Sequence, residues 1–257
     1  MSELINNPEQ RKELLKHMIL QLHEGVAPQE IRKRLAELMQ KIPYGEVVEV
    51  EQELINEGLP ETEVLRLCDI HTEALEGNID LTEAKIVPPG HPVDTFQKEN
   101  RELEEVMKKL TELFERSGEL ISSIGIEAYK NNLKSLFNNL MDVDKHYRRK
   151  ENLLFPFLEK YGITGPPTVM WGKHNETRGF LKSAMEALLA LGSNSELLEN
   201  TIDMQLQPAV KAVADMIMKE EEILFPMTMD KLTDENWYDI YRQTNEIGYC
   251  LYDPKVE

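Results

Sequence analysis

Cysteine is nearly absent from this chain of 257 residues: Cys68 and Cys250 are its two thiols, far apart and outside any CxxC spacing. That argues against a disulfide framework and against a thiolate zinc site. Basic residues are scarce as well, 29 Lys and Arg against 47 Asp and Glu, and the net charge of −18 repels nucleic acid and anionic membrane surfaces. Surface acid of this kind also keeps copies of a soluble protein apart. No stretch approaches the ~18 apolar residues of a membrane span, and the polar opening "MSELINNPEQRKELLKH" lacks the apolar core of a signal peptide. No nucleic-acid or membrane partner is expected, and the expected location is the cytoplasm. Also missing are a phosphate-binding glycine loop, a dinucleotide fingerprint, an HExxH helix and a Ser-His-Asp order. These absences favour a sensing or binding module over an enzyme.

Strand patterns are lacking too. No run of β-branched residues is bounded by turn signals, and nearly every segment has helical periodicity, which predicts an all-α protein. Residues 1–84 hold short helical segments broken at Gly25–Pro28, Pro43–Gly45 and Gly58–Pro60, and read as a small helical domain. Three prolines and a glycine in "KIVPPGHP", 85–92, cannot continue a helix and mark a linker. Beyond it lie four long helical patterns, about 93–117, 126–159, 167–191 and 196–228, with short connections. They predict an up-down-up-down four-helix bundle over 91–230, followed by an extension, 231–257. Phe96, Leu103, Leu110 and Phe114 form the first apolar stripe; Leu133, Leu136, Leu140, Val143, Tyr147 and Leu154 form the second. Leu181, Met185 and Leu188 mark the third, and Leu206, Val210, Val213, Ile217 and Leu224 the fourth.

Polar residues interrupt every stripe: Glu99 and Asn100 on the first, His146, Lys150 and Glu151 on the second, His174 and Arg178 on the third, Glu220 and Glu221 on the fourth. A buried carboxylate persists only beside a cation, a hydrogen-bond network or a metal. Two readings follow. In one, carboxylates and imidazoles converging from four helices hold non-haem iron, manganese or zinc. In the other, Lys150 and Glu220 form an internal ion pair, Met216 fills apolar space, and the bundle is a metal-free interaction module. The motif "LFP" occurs twice, at 154–156 and 224–226, and its prolines are expected to end their helices. Cys68 and His71, spaced i, i+3 in "CDIH", share a helix face but read as packing rather than as a ligand pair.

The stretches "HYRRKENLLFP", "MWGKHNETRGFL" and "KEEEILFP" resemble the hemerythrin/HHE cation-binding domain family over residues 91–230. "LHEGVAPQEIRKRL", "LCDIHTEALEG" and "PPGHPVDTFQKENREL" are similar to a subfamily in which a helical domain of unknown function precedes the bundle, often with a PAS sensor domain after it. The sequence stops about where that PAS domain is expected to begin.

The resemblance implies iron, as a pair or a single ion, with zinc or manganese as alternatives, and a small diatomic ligand, oxygen or nitric oxide, or a response to redox state. A homodimer or a downstream signalling partner is compatible with it, and so is a di-iron oxidase, peroxidase or iron-centre repair protein. By position His146 and His174 match the family's ligands, and Glu151 and Glu221 hold the acidic position before "LFP". Asn100, Arg178 and Met216 stand where the family places histidines; Lys150 stands where it often has a carboxylate, with Glu220 as counterpart on the fourth helix. The metal set implied is His91, His146, Glu151, His174, Glu220 and Glu221, with Glu99 a further donor.

Overall fold

A computed structural model of the protein describes residues 7–23, 30, 33–34, 44–58, 84–192 and 195–254. Cys68 and His71 lie outside the described residues. The described residues form helices and turns and no strand, so the fold is all-α. No described helix is long and apolar enough to cross a membrane. The chain divides into two compact units, each assembled from separate stretches: Met1–Val87 with Phe155–Lys173 and Met218–Asp234, and Pro88–Leu154 with His174–Ile217 and Glu235–Glu257.

In the first unit, α1 (Pro8–His23) packs against α2 (Tyr44–Asn56). Leu15 and Met18 on one and Val50 and Leu54 on the other are buried, while Arg11–Glu46, Lys12–Glu49 and Lys16–Glu57 pair along the seam. Gln52 of α2 has a separate task. Its side-chain oxygen accepts the backbone N–H groups of Thr164 at 3.0 Å and Gly165 at 2.7 Å, satisfying two orphan donors at the start of the helix Gly165–Ala190.

The second unit is the four-helix bundle. Its first helix, α3 (Pro92–Glu115), starts with Pro92 at the position where proline costs nothing and buries Phe96, Leu103, Leu110 and Phe114, the stripe its sequence predicts. A short α4 (Ser117–Ile124) leads to α5 (Ile126–Leu140), and after a turn at Met141–Asp142 the second bundle helix resumes as α6 (Val143–Arg149). On it Leu133, Leu140, Val143, Tyr147 and Leu154 are buried as expected; Phe137 is buried while its neighbour Leu136 is half exposed. The third and fourth bundle helices come from Gly165–Ala190 and from the run Ser195–Lys219, where Leu181, Leu188, Leu206, Val213 and Met216 are buried. A last helix, Asp234–Ile247, buries Trp237 and Ile240.

The two "LFP" motifs behave differently from the expectation. Neither Pro156 nor Pro226 ends its helix: the backbone runs on as helices Phe155–Lys160 and Phe225–Lys231, each preceded by a π turn, Lys150–Leu154 and Glu220–Leu224. A proline without an N–H breaks the i→i−4 ladder, and the wider i→i+5 turn before it absorbs the mismatch. In the second unit that wider turn buries Lys150, Glu151, Leu153 and Leu154 together, a set that a regular α-turn spreads around the helix.

Gln52→Ala should leave the Gly165 helix start without its cap and lower stability by about 1 kcal/mol in urea unfolding; an unchanged midpoint would mean that water replaces the amide without loss.

Candidate functional site

The site grows from two carboxylates of the bundle unit. Glu99 falls between Phe96 and Leu103 on the inward face of α3 and has no exposed surface. Its Oε2 accepts His146 Nδ1–H at 2.7 Å and a guanidinium N–H of Arg149, and its Oε1 accepts the backbone N–H of Cys250 at 2.6 Å. Three donors, one of them charged, are what a buried carboxylate needs to remain ionised. Burial nevertheless pushes Glu99 up to about 7, with Arg149 and the Cys250 N–H pulling the other way. Arg149 is itself buried, its guanidinium lying 4.6 Å from the Phe96 ring centre and 5.2 Å from that of Tyr249. His146 is held neutral: burial first, then Lys150 and Arg149, drive its proton affinity well below the ordinary value. A neutral ring whose Nδ1–H is committed to Glu99 is a positioned donor.

Glu151 organises the other half. Arg178 grips it with both arms, NH1 to Oε1 at 2.8 Å and NH2 to Oε2 at 2.9 Å, and His174 Nδ1–H donates to Oε1 at 2.8 Å. Arg178 also reaches Asp144 through its Nε at 2.7 Å. Burial alone would raise Glu151, but the hydrogen bonds from His174 and Arg178 outweigh it and hold the carboxyl down at about 2. His174 falls to about 3, because burial, helped by Lys150 and Arg178, overcomes the pull of Glu151. Glu151 is therefore ionised and His174 neutral, so this contact is a charge-assisted hydrogen bond and Arg178 is the counter-ion.

Tyr147 lies between the halves as a plate. His174 stacks on it with ring centres 4.1 Å apart and 12° between planes, while Lys150 Nζ stands 4.8 Å and the Arg178 guanidinium 5.7 Å from the ring centre. Lys150 is fully buried. Burial lowers its pKa well below 10.5, with Arg149 adding and Glu99 and Glu151 opposing. Arg149 is the guanidinium partner of Glu99, and Arg178 that of Glu151.

The six candidate ligands are divided by the fold. His146, Glu151 and His174 share the bundle unit, but His146 is bonded to Glu99 and His174 to Glu151, as separate pairs. His91 belongs to this unit too, where its Nδ1 accepts the N–H of Val93 and caps α3 and its ring meets Trp237 edge-on at 4.6 Å. Glu220, buried, and Glu221, half exposed, belong to the first unit. Two functional residues escaped sequence reasoning. Arg149 stands between two other cations, Arg148 and Lys150, and its signal was its place one turn from His146 on a buried face. Cys250 contributes a backbone N–H, which no side-chain pattern announces.

A four-helix bundle whose helices turn histidines, carboxylates and their counter-ions inward defines the class of helical domains with an internal polar centre. Within that class the chain belongs to the Hemerythrin HHE cation binding domain family, matched over residues 91–228, and residues 15–81 match the Family of unknown function (DUF438). No curated protein matches it.

Cation binding is the property for which the family is named, and the donors present here can be tested against it. Among the described residues no three His, Cys, Asp or Glu side chains converge as a metal would require. Both Glu151 oxygens are engaged by Arg178, and Glu99 carries three donors. Of the positions that the resemblance marks as ligands, Lys150, Arg178, Asn100 and Met216 carry other side chains, while His146, Glu151, His174 and Glu221 keep an imidazole or a carboxylate. The match makes this a domain of a cation-binding family, and His146 and His174 direct Nδ1 to Glu99 and Glu151, with Nε2 outside these two bonds.

Arg178→Ala should cost roughly 3 kcal/mol of unfolding free energy, since it strands a buried carboxylate; a loss below about 1 kcal/mol would mean that Glu151 is well solvated. The His174 imidazole signals should stay those of a neutral ring from pH 8 down to about pH 4 in an NMR titration, whereas a midpoint near the ordinary 6.5 would contradict the geometry. Stability depends on the same proton. The unfolded ring takes it near 6.5 and the folded ring near 3, so this contribution is whole above 6.5 and fades as the pH falls toward 3, by at most about 1.4 kcal/mol per unit.

Proposed function

We propose that this HHE domain is a metal-independent helical signalling or interaction module whose centre is a network of internal ion pairs. The observation that supports it is the bidentate grip of Arg178 on Glu151, matched across Tyr147 by Arg149 on Glu99. In this reading Arg149 and Arg178 supply the positive charge that a bound cation supplies elsewhere, and Lys150 stacks on Tyr147 where a carboxylate ligand would have stood. Guanidinium groups suit the task, being planar, permanently charged and weakly hydrated. The network ties three helices together through Glu99 and Glu151.

The second reading is the iron module implied by the family, with oxygen, nitric oxide or redox state as its signal and His146 and His174 as donors. One observation favours it: both imidazoles are wholly buried and flank the same tyrosine.

One experiment separates them. Protein purified anaerobically and analysed for iron, zinc and manganese should carry far less than one metal per molecule, and the triple variant K150E/R178H/M216H, which restores three of the four ligand types that the resemblance marks as changed, should gain iron and its charge-transfer absorption. Stoichiometric iron in the wild-type protein, lost in H146A/H174A, would establish the second reading instead.

A further inference from the structure

A buried ion network does not by itself require that Glu99, deep in α3, spend one oxygen on a backbone N–H 151 residues away. That N–H belongs to a short turn, Tyr249–Tyr252, that follows the last helix. Four contacts hold this turn to the bundle unit. Cys250 N–H donates to Glu99 Oε1 at 2.6 Å, and Leu251 N–H donates to Asp142 Oδ2 at 3.2 Å. The Arg149 guanidinium lies 5.2 Å from the centre of the Tyr249 ring and 4.6 Å from that of Phe96, and Lys98 Nζ stands 5.5 Å from the centre of the Tyr252 ring. Asp142 stands in the break between α5 and α6, the turn at Met141–Asp142, and its Oδ2 accepts the Leu251 N–H.

The backbone of the turn is not at rest. Leu251 adopts φ +55°, and among the described residues it is the one non-glycine with positive φ; Gly248, which starts the reversal, has φ +93°. Tyr252 N–H meets Cys250 C=O at 2.6 Å across a tight three-residue turn. A leucine in the left-handed region is held there by its surroundings rather than by its own preference. Releasing the two anchoring acceptors removes what holds it.

We propose that Tyr249–Tyr252 is a latch that reports the state of the buried network to the residues following it: closed while Glu99 and Asp142 accept its two N–H groups, open when either is withdrawn. Glu99 is shared by His146, Arg149 and the latch, so a change at any of them is felt at the other two. By linkage, opening the latch must in turn alter the environment of His146. The latch goes beyond the metal question and stands on contacts that are independent of whether the centre takes a metal.

Hydrogen exchange of the full-length protein tests it. In the wild-type protein the Cys250 and Leu251 amides should exchange on the order of a hundredfold more slowly than in a free peptide. Asp142→Ala, which spares Glu99, Arg149 and His146, should speed both amides by on the order of tenfold and speed chymotryptic cleavage at Tyr249–Tyr252, with α3 still protected. The same variant should shift the His146 imidazole resonances. Glu99→Ala, which removes the acceptor of the Cys250 N–H, should open the turn further; if that variant fails to fold, Asp142→Ala carries the test alone. Free-peptide exchange in the wild-type turn, unchanged exchange in Asp142→Ala, or an opened turn with His146 unmoved would each overturn the proposal.

Discussion

A carboxylate with no access to water has to be answered from within the protein, and Glu99 sets that demand at the centre of this bundle. Its answer comes from three places in the sequence: His146 and Arg149 on the second helix, and the backbone of Cys250 after the last. Removing any one of them leaves charge or polarity buried without compensation, which costs far more than the contact is worth when made. The arrangement of α3, α6 and the C-terminal turn is thereby mutually conditional. Glu151 repeats the demand one π turn later and is answered by Arg178 and His174.

In the proposed reading these two clusters let a hemerythrin-like bundle keep its polar interior with a changed donor set. In such a bundle a metal gathers charged side chains from several helices and neutralises them. Guanidinium groups do the same from within the protein, at a fixed stoichiometry and without dependence on supply, but they saturate the carboxylates they meet. In the proposed reading such a centre gives up the metal as its source of positive charge. What it retains is a set of hydrogen bonds in which each helix is tied to another through a shared charged atom, the kind of element that holds two alternative states apart.

Much of this was legible in the sequence. The all-α fold and the four bundle helices followed from periodicity, and Phe96, Leu103, Leu110 and Phe114 are buried as their spacing requires. His146, Glu151, His174 and Arg178 stood out because they interrupt apolar stripes; Glu151, His174 and Arg178 form one cluster, while His146 pairs with Glu99. Three things were hidden for physical reasons. Pro156 and Pro226 read as helix ends because propensity sees the missing N–H and not the π turn that accommodates it. Arg149 has the composition of a surface residue and is recognised only by what surrounds it. The bond between Glu99 and Cys250 joins residues 151 apart through a main-chain donor, and local pattern carries no trace of it.

The central claim is that internal cations occupy the role of the family's metal, and its most direct measurement is the melting temperature of the full-length protein under anaerobic conditions, with chelator and then with rising ferrous iron. A ligand that binds the native state stabilises it by about 1.4 kcal/mol for each tenfold rise in concentration above its Kd. The account predicts a melting temperature that does not move from chelator to excess iron. A melting temperature that climbs steadily with iron, and returns when chelator is added, would contradict it.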